Sequence, residues 1–268
     1  MEVLSSYQVA SIRILSAGIV LLPLTIRHFR SIPFSKLGVV FLSGVLGSLL
    51  PAYLFCIAET KIESALAGVL NSLTPIFAIV LGAIFFSYKV PSKKIMGIII
   101  SFGGSILLVI SQGIRDMGNL IFVSYAILAT ISYGFNINMV HKHLGNIRSL
   151  TIASVALSLC AIPALLVLFV TGFFTLPLNS LNYAKGILAS SVLGIIGTAL
   201  ATILFYMLVK RAGVVFSSMV TFGIPFIAIL WGLAAHEVIT WKEVLSLFII
   251  LAGVYIANRG ANAVVVPE

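Results

Sequence analysis

Residues 71–86 read "NSLTPIFAIVLGAIFF", and the proline among them, Pro75, interrupts an otherwise apolar run. A related stretch, "TFGIPFIAILWGLAA", occupies residues 221–235 and carries Pro225, 150 residues after Pro75. Proline inside a helix removes one backbone hydrogen bond and presses on the preceding turn. Two such interruptions at matching places predict a pair of bent helices, with Pro75 and Pro225 as hinge residues.

What surrounds those helices follows from composition. The 268 residues are 60% hydrophobic and 9% charged, with a mean hydropathy of +1.20. A soluble domain carries about 25% charged residues. So little polar surface cannot coat a water-facing globule, and lipid is the expected solvent. The net charge of +9 would suggest nucleic acid in a soluble protein. Here the basic residues are dispersed among apolar segments without aromatic interleaving, so no nucleic-acid partner is expected. Cys56 and Cys160 fall inside apolar runs and read as packing residues.

A membrane-spanning helix needs about 20 mostly apolar residues. Spans are predicted near 7–26, 37–57, 64–86, 95–110, 119–140, 150–170, 186–209, 213–235 and 243–257. The loops between them form two alternating sets. One holds Arg27, Arg30, Lys36, Lys89, Lys93, Lys94, Lys142, Arg148, Lys210, Arg211 and Arg259; the other holds Lys61, Arg115, Lys185 and Lys242. Basic residues beside a span resist translocation, which makes the rich side cytoplasmic. A multi-pass protein of the cell membrane, the inner membrane in a bacterium, is expected, with its C-terminus in the cytoplasm. Nine spans then put Met1 outside. The opening "MEVLSSYQVASIRIL" lacks the features of a signal peptide. One further helix ahead of Met1 would resolve this.

The proline match is part of a longer one at the same offset. Gly44 and Gly47 align with Gly194 and Gly197, Leu54 with Leu204, Ala78 with Ala228, Gly82 with Gly232, and Gly103 with Gly253. With a small loop adjustment, "QVASIRILSAGIVLLPL" resembles "TIASVALSLCAIPALLVLF". The fold expected is therefore an all-α polytopic membrane protein built from two repeats, 1–112 and 117–260. Each repeat is a five-helix bundle on a ten-helix plan, about nine helices of which are present. Five is odd, so the repeats cross the membrane in opposite senses. Inverted repeats of this kind characterise alternating-access carriers.

The segments "ALAGVLNSLTPIFAIVLGAIFF" and "KIMGIIISFGGSILLVI", with "SSMVTFGIPFIAILWGLAAHEVITWKEVLSLFIILAGVYIA" in the second copy, resemble the EamA-like family of the drug/metabolite transporter superfamily. The resemblance covers essentially the whole chain. It implies a ten-helix carrier whose substrate path is lined by the spans at 37–57, 64–86, 119–140, 186–209 and 213–235. The chain departs from the family at its missing first helix. It departs again at Ser87, which stands where the family often has a glutamate; the second copy keeps Glu237.

Polar side chains at membrane depth are costly unless they pair or face water, so they rank as candidate site residues. Asn71, Ser72 and Thr74 precede Pro75, and Ser217, Ser218 and Thr221 precede Pro225. Asn71, Thr74, Ser218 and Thr221 read equally as substrate contacts or as caps for the kinks. In "ATISYGFNINMV", Tyr133 and Asn136 share a helix face that either lines a cavity or bonds another helix. Arg13 either snorkels to the interface or serves as counter-charge for an anionic group such as a carboxylate. Tyr53 and Tyr206 could pack apolar or aromatic parts of a substrate, or belong to the core.

No Asp or Glu is central to any span, and the histidines His28, His141, His143 and His236 lie at loops or span ends. Intramembrane hydrolysis requires such groups at depth, so an enzyme is not expected. No metal site, cofactor or nucleotide loop is expected either. The expected activity is secondary transport: export or exchange of a small polar or amphipathic, amino-acid-like metabolite. Proton coupling would run only through a peripheral group such as Glu59 or Glu237. A non-transporting scaffold or enzyme, or a translocator of nucleotide sugars or lipid-linked substrates, is the alternative. The partners expected are membrane lipids and a small-molecule substrate, with the chain a monomer or homodimer.

Overall fold

The computed structural model describes residues 3–62, 64–87, 90–111, 120–178, 180–224, 227 and 240–259, and among these every regular element is helical. In chain order the helices are α1 (Ser6–His28), α2 (Phe34–Gly44), α3 (Leu50–Ala58), α4 (Ser64–Asn71), α5 (Thr74–Phe86) and α6 (Ser92–Ser111). Then follow α7 (Leu120–His143), α8 (Ser149–Val170), α9 (Leu181–Val192), α10 (Ala201–Ser218) and α11 (Trp241–Arg259). Apolar side chains face outward along them: Phe34 is 91% exposed and Val170 87%. The serines Ser11, Ser43, Ser101 and Ser154 are fully buried. That inversion of a soluble protein's distribution suits a molecule solvated by lipid. Among the described residues, five helical runs have the length and apolarity to cross a membrane: Ser6–Ser31, Phe34–Ala58, Leu120–His143, Ser149–Val170 and Leu181–Phe222.

Two compact units form, and both are interleaved in sequence. Unit 1 comprises residues 1–60 and 139–211; unit 2 comprises 61–138 and 212–268. Each therefore draws on both of the sequence segments 1–112 and 117–260.

In unit 1 the most extensive packing joins α1 to α8. Ser5 starts α1 with a capping box, since its hydroxyl accepts from Gln8 N while Gln8 Oε1 accepts from Ser5 N. A Cβ built on Gly18 would lie 2.7 Å from Leu157 O, so only glycine lets α1 come this close to α8. Two π-helical turns complete the unit, Val45–Leu49 between α2 and α3 and Leu193–Leu200 between α9 and α10. They contain Gly47 and the pair Gly194 and Gly197, the glycines aligned at the offset of 150. Their neighbours exchange in the same way. Gly44, just ahead of the first turn, approaches Ala156 O of α8, and Gly194 approaches Arg13 O of α1.

In unit 2 the closest packing joins α6 to α11. A Cβ on Gly97 would meet Gly253 O and Ala257 N at 2.5 Å, and one on Gly253 would meet Gly97 O at 2.5 Å. Ser101 Oγ donates to Ile250 O at 3.0 Å across the same seam. Around it lie Ile98, Met219, Phe222, Ile250 and Ala257.

Three expected spans differ from the observed helices. The span at 64–86 is two helices, α4 and α5, joined by a tightened turn at residues 72 and 73, where Leu73 N donates to Leu70 O. The spans at 186–209 and 213–235 are continuous through the run Leu181–Phe222, which bends at Gly213 (φ 79°, ψ 177°), a conformation open essentially only to glycine.

Candidate functional site

The helix break ahead of Pro75 is built from local bonds. Pro75 has no N–H to give Asn71 O, the carbonyl one turn earlier. Thr74 Oγ1 donates to that carbonyl instead, at 2.7 Å, and lies 3.3 Å from Asn71 Oδ1. Pro75 thus occupies the first turn of α5, where the missing N–H costs nothing, and not a helix interior as the sequence suggested. The chain also tightens 150 residues on: α10 gives way to a 3₁₀ turn, Met219–Phe222, in which Thr221 Oγ1 donates to Ser218 O at 3.0 Å. Pro225 itself lies outside the described residues, as does Glu237.

Most hydroxyls near these breaks are satisfied within their own helices. Ser72 donates to Gly68 O, Ser217 to Gly213 O and Ser218 to Val215 O, and all three serines are fully buried. Thr74 is 1% exposed. Only Asn71 and Thr221 of this set are part-open, and they stand 150 residues apart, at equivalent places ahead of the two prolines. Unit 2 brings the two segments into contact, since α5 packs on the turn Met219–Phe222. A Cβ on Gly68 would lie 3.7 Å from Ile224 Cγ2.

α7 seats on α5 through one face. Gly134 lets the helices approach until a built Cβ would sit 2.9 Å from Ala78 N. Asn138 Nδ2 then donates to Ala78 O and to Gly134 O, both at 2.8 Å, and Phe135 packs edge-on against Phe85 and Phe86. Two carbonyl acceptors fix the amide's orientation, which leaves Asn138 Oδ1 buried with no partner among the described residues. Tyr133, half-buried, and Asn136, 2% exposed, lie on the same helix.

Unit 1 holds the remaining candidates. Arg13 Nε donates to Thr198 Oγ1 at 2.7 Å, from α1 to the second π turn. Its Nη1 and Nη2 make no hydrogen bond to the described residues. Tyr53 OH and Ser11 Oγ lie 2.6 Å apart, and Ser11 Oγ is also 2.7 Å from Tyr7 O. Tyr206 is 1% exposed and donates to Ser43 O at 3.1 Å, a bond that ties α10 to α2. Arg13 also acts electrostatically on Glu59, at the end of α3. Partial desolvation at the end of α3 pushes the Glu59 carboxyl above its ordinary value of 4.5, and the guanidinium opposes that push.

A raised carboxyl pKa means that folding favours the protonated acid. Glu59 therefore withdraws stability as pH rises from about 4.5 through its folded value. In Glu59→Gln that loss should vanish. Thermal unfolding between pH 4 and pH 7 checks it: the wild type should fall relative to the variant as pH rises, and parallel curves would refute the assignment.

Residues 1–110 and 120–259 match the EamA-like transporter family. The chain belongs to that family. A protein of Archaeoglobus fulgidus named as an uncharacterized transporter is 27% identical to it over 258 residues, which cover 96% of this chain and 90% of the relative. A crystal structure of a protein superposes with a TM-score of 0.73 at 15% identity, over 97% of this chain and 89% of that one, and so shares its fold. The EamA chain is a multi-pass membrane transporter of the drug/metabolite type, and the family points to transport rather than enzyme catalysis.

Among EamA residues, sequence reasoning passed over three that organise these sites. Asn138 was visible as a polar residue in the α7 span, but nothing distinguished its fixed face from that of Tyr133 and Asn136. Thr198 holds Arg13 across 185 positions; its only signal was its equivalence to Ser48, another buried polar residue at the offset of 150. Ser11 anchors Tyr53 and looked like an ordinary small residue of a span.

Proposed function

We propose that this EamA protein exports or exchanges a small polar or amphipathic, amino-acid-like metabolite by alternating access, using two inverted repeats. The carrying observation is the pair of pre-proline breaks in unit 2. Asn71 and Thr221, at positions 150 apart, are the part-open polar side chains at these breaks; the Thr221 hydroxyl donates to Ser218 O and keeps its lone pairs as acceptors, while the Asn71 amide keeps its donors. A helix break frees backbone polar groups at membrane depth, which is where carriers place substrate sites. Asn71, Thr221, Tyr133 and Asn136 supply donors and acceptors for the polar part of a substrate. Thr74 and Ser218 shape the breaks, and Pro75 and Pro225 act as hinges. The Nη1 and Nη2 groups of Arg13 suit a carboxylate, and Tyr53 lies in the same unit as Arg13. The π turns at matching places, with Gly44 set against α8 and Gly194 against α1, favour two copies of one plan. Tyr206 ties two helices of unit 1 and serves the scaffold.

The orientation follows the loop charges, with the basic loops and the C-terminus on the cytoplasmic side of the cell membrane. Counterflow in proteoliposomes with a panel of amino acids, nucleobases and sugar derivatives tests the activity. Accelerated exchange of at least one amino-acid-like solute is expected, with Asn71→Ala and Thr221→Ala each lowering it about tenfold, the equivalent of one lost hydrogen bond in a closed site. Exchange unaffected by both variants would overturn the site. No exchange of any solute would overturn the activity.

A further inference from the structure

The basic end of unit 1 contains a cavity of ≈ 390 Å³ whose lining includes Ile147, Arg148, Leu150, Met207, Lys210 and Arg211. It lies where the loop after α7, the first turn of α8 and the α10 turn at 207–211 come together. Three of the named side chains are cationic, and no Asp or Glu is among the described residues that line the cavity. Lys210 Nζ donates to Ile147 O, which fastens α10 to the loop without neutralising the ammonium. Arg148 and Arg211 stay exposed. Arg148 is also the N-cap residue of α8 and makes no side-chain bond to the helix, so the positive end of the α8 dipole adds to the same field.

The cavity continues into an apolar face. Leu200, Leu204, Met207 and Arg211 are all exposed and recur at spacings of four, three and four, which places them on one stripe of the helix. That stripe leads from the apolar surface of the run to the charged cavity. A small inorganic anion would use only the charges. An amphiphile with a phosphate head and an acyl tail would use both.

We propose that this cavity binds the headgroup of an acidic phospholipid, with an acyl chain laid along Leu200, Leu204 and Met207. Arg148 and Arg211 contact the phosphate, and Lys210 holds the wall and contributes charge. In the orientation given above the lipid belongs to the cytoplasmic leaflet. The site is separate from Arg13, Asn71 and Thr221, and its occupancy can be measured without any transport assay.

The test uses the full chain, purified and delipidated in mild detergent, with native mass spectrometry reading retained phosphatidylglycerol and phosphatidylcholine supplied in equal amounts. Phosphatidylglycerol should be retained in clear preference. The double variant Arg148→Gln, Arg211→Gln should lower its retention about tenfold or more. Arg27→Gln, at the end of α1 and outside the cavity, should leave retention unchanged. Equal retention of the two lipids by the wild type would overturn the proposal, and so would a double variant that keeps phosphatidylglycerol. Displacement of the lipid by excess inorganic phosphate would assign the site to a free anion and overturn the lipid reading. The two wild-type arms need no variant to fold.

Discussion

Gly97→Leu should abolish the folded form of unit 2. Even a methyl at Gly97 would meet Gly253 O and Ala257 N at 2.5 Å, and both contacts are backbone atoms that cannot swing aside. Leucine adds three more carbons, so α6 and α11 must part and the Ser101–Ile250 hydrogen bond goes with them. Overpacking of this kind costs about 3 kcal/mol, and without a hydrophobic drive between helices in lipid little else compensates. The control sits on the same helix: a Cβ at Gly103 meets nothing within 4 Å, so Gly103→Leu should keep its yield and unfolding temperature. Size-exclusion profiles and thermal unfolding in detergent separate the two. A well-folded Gly97→Leu protein would mean that the α6–α11 seam is not as close as described.

Arg13→Gln should lower exchange of carboxylate-bearing solutes by about 10- to 100-fold, the range expected for loss of a charge-assisted hydrogen bond. Glutamine keeps a donor for Thr198 Oγ1, so the α1 contact can persist while the cation is gone. A substrate analogue with an amide in place of its carboxylate should lose nothing further in the variant. Arg13→Lys should recover only part of the rate, because an ammonium cannot reproduce the planar fork. Equal losses for the acid and its amide would instead mark Arg13 as a structural tie between α1 and the π turn.

Much of this was legible because the membrane imposes simple rules on sequence. Apolar run length gives the spans, and glycine and proline at one offset give the correspondence between 44 and 194 or 75 and 225. The glycines show where such reading stops. Gly103 and Gly253 align, yet Gly253 is wedged against α6 while Gly103 stands open. The offset of 150 records a pattern in the sequence, but the side of a helix that meets a neighbour depends on rotation, which a uniformly apolar sequence leaves unmarked. The same limit hid the choice among Tyr133, Asn136 and Asn138. The break at residues 72 and 73 was hidden for another reason. A proline in a long apolar run is compatible with a kinked helix or a restarted one, and the Thr74 bond to Asn71 O decides between them. Pairings such as Arg13 with Thr198 or Tyr206 with Ser43 span well over a hundred positions and leave no local trace.

The interleaving of the units governs how the chain is made. Residues 1–60 close only with 139–211, so α1 enters the bilayer long before α8, its main partner, leaves the ribosome. Unit 2 waits longer still, because α6 meets α11 only when the last helix arrives. A product terminated near residue 112 would hold part of each unit and complete neither. Such fragments should be cleared by membrane proteases, and two co-expressed halves should rescue each other where either alone disappears.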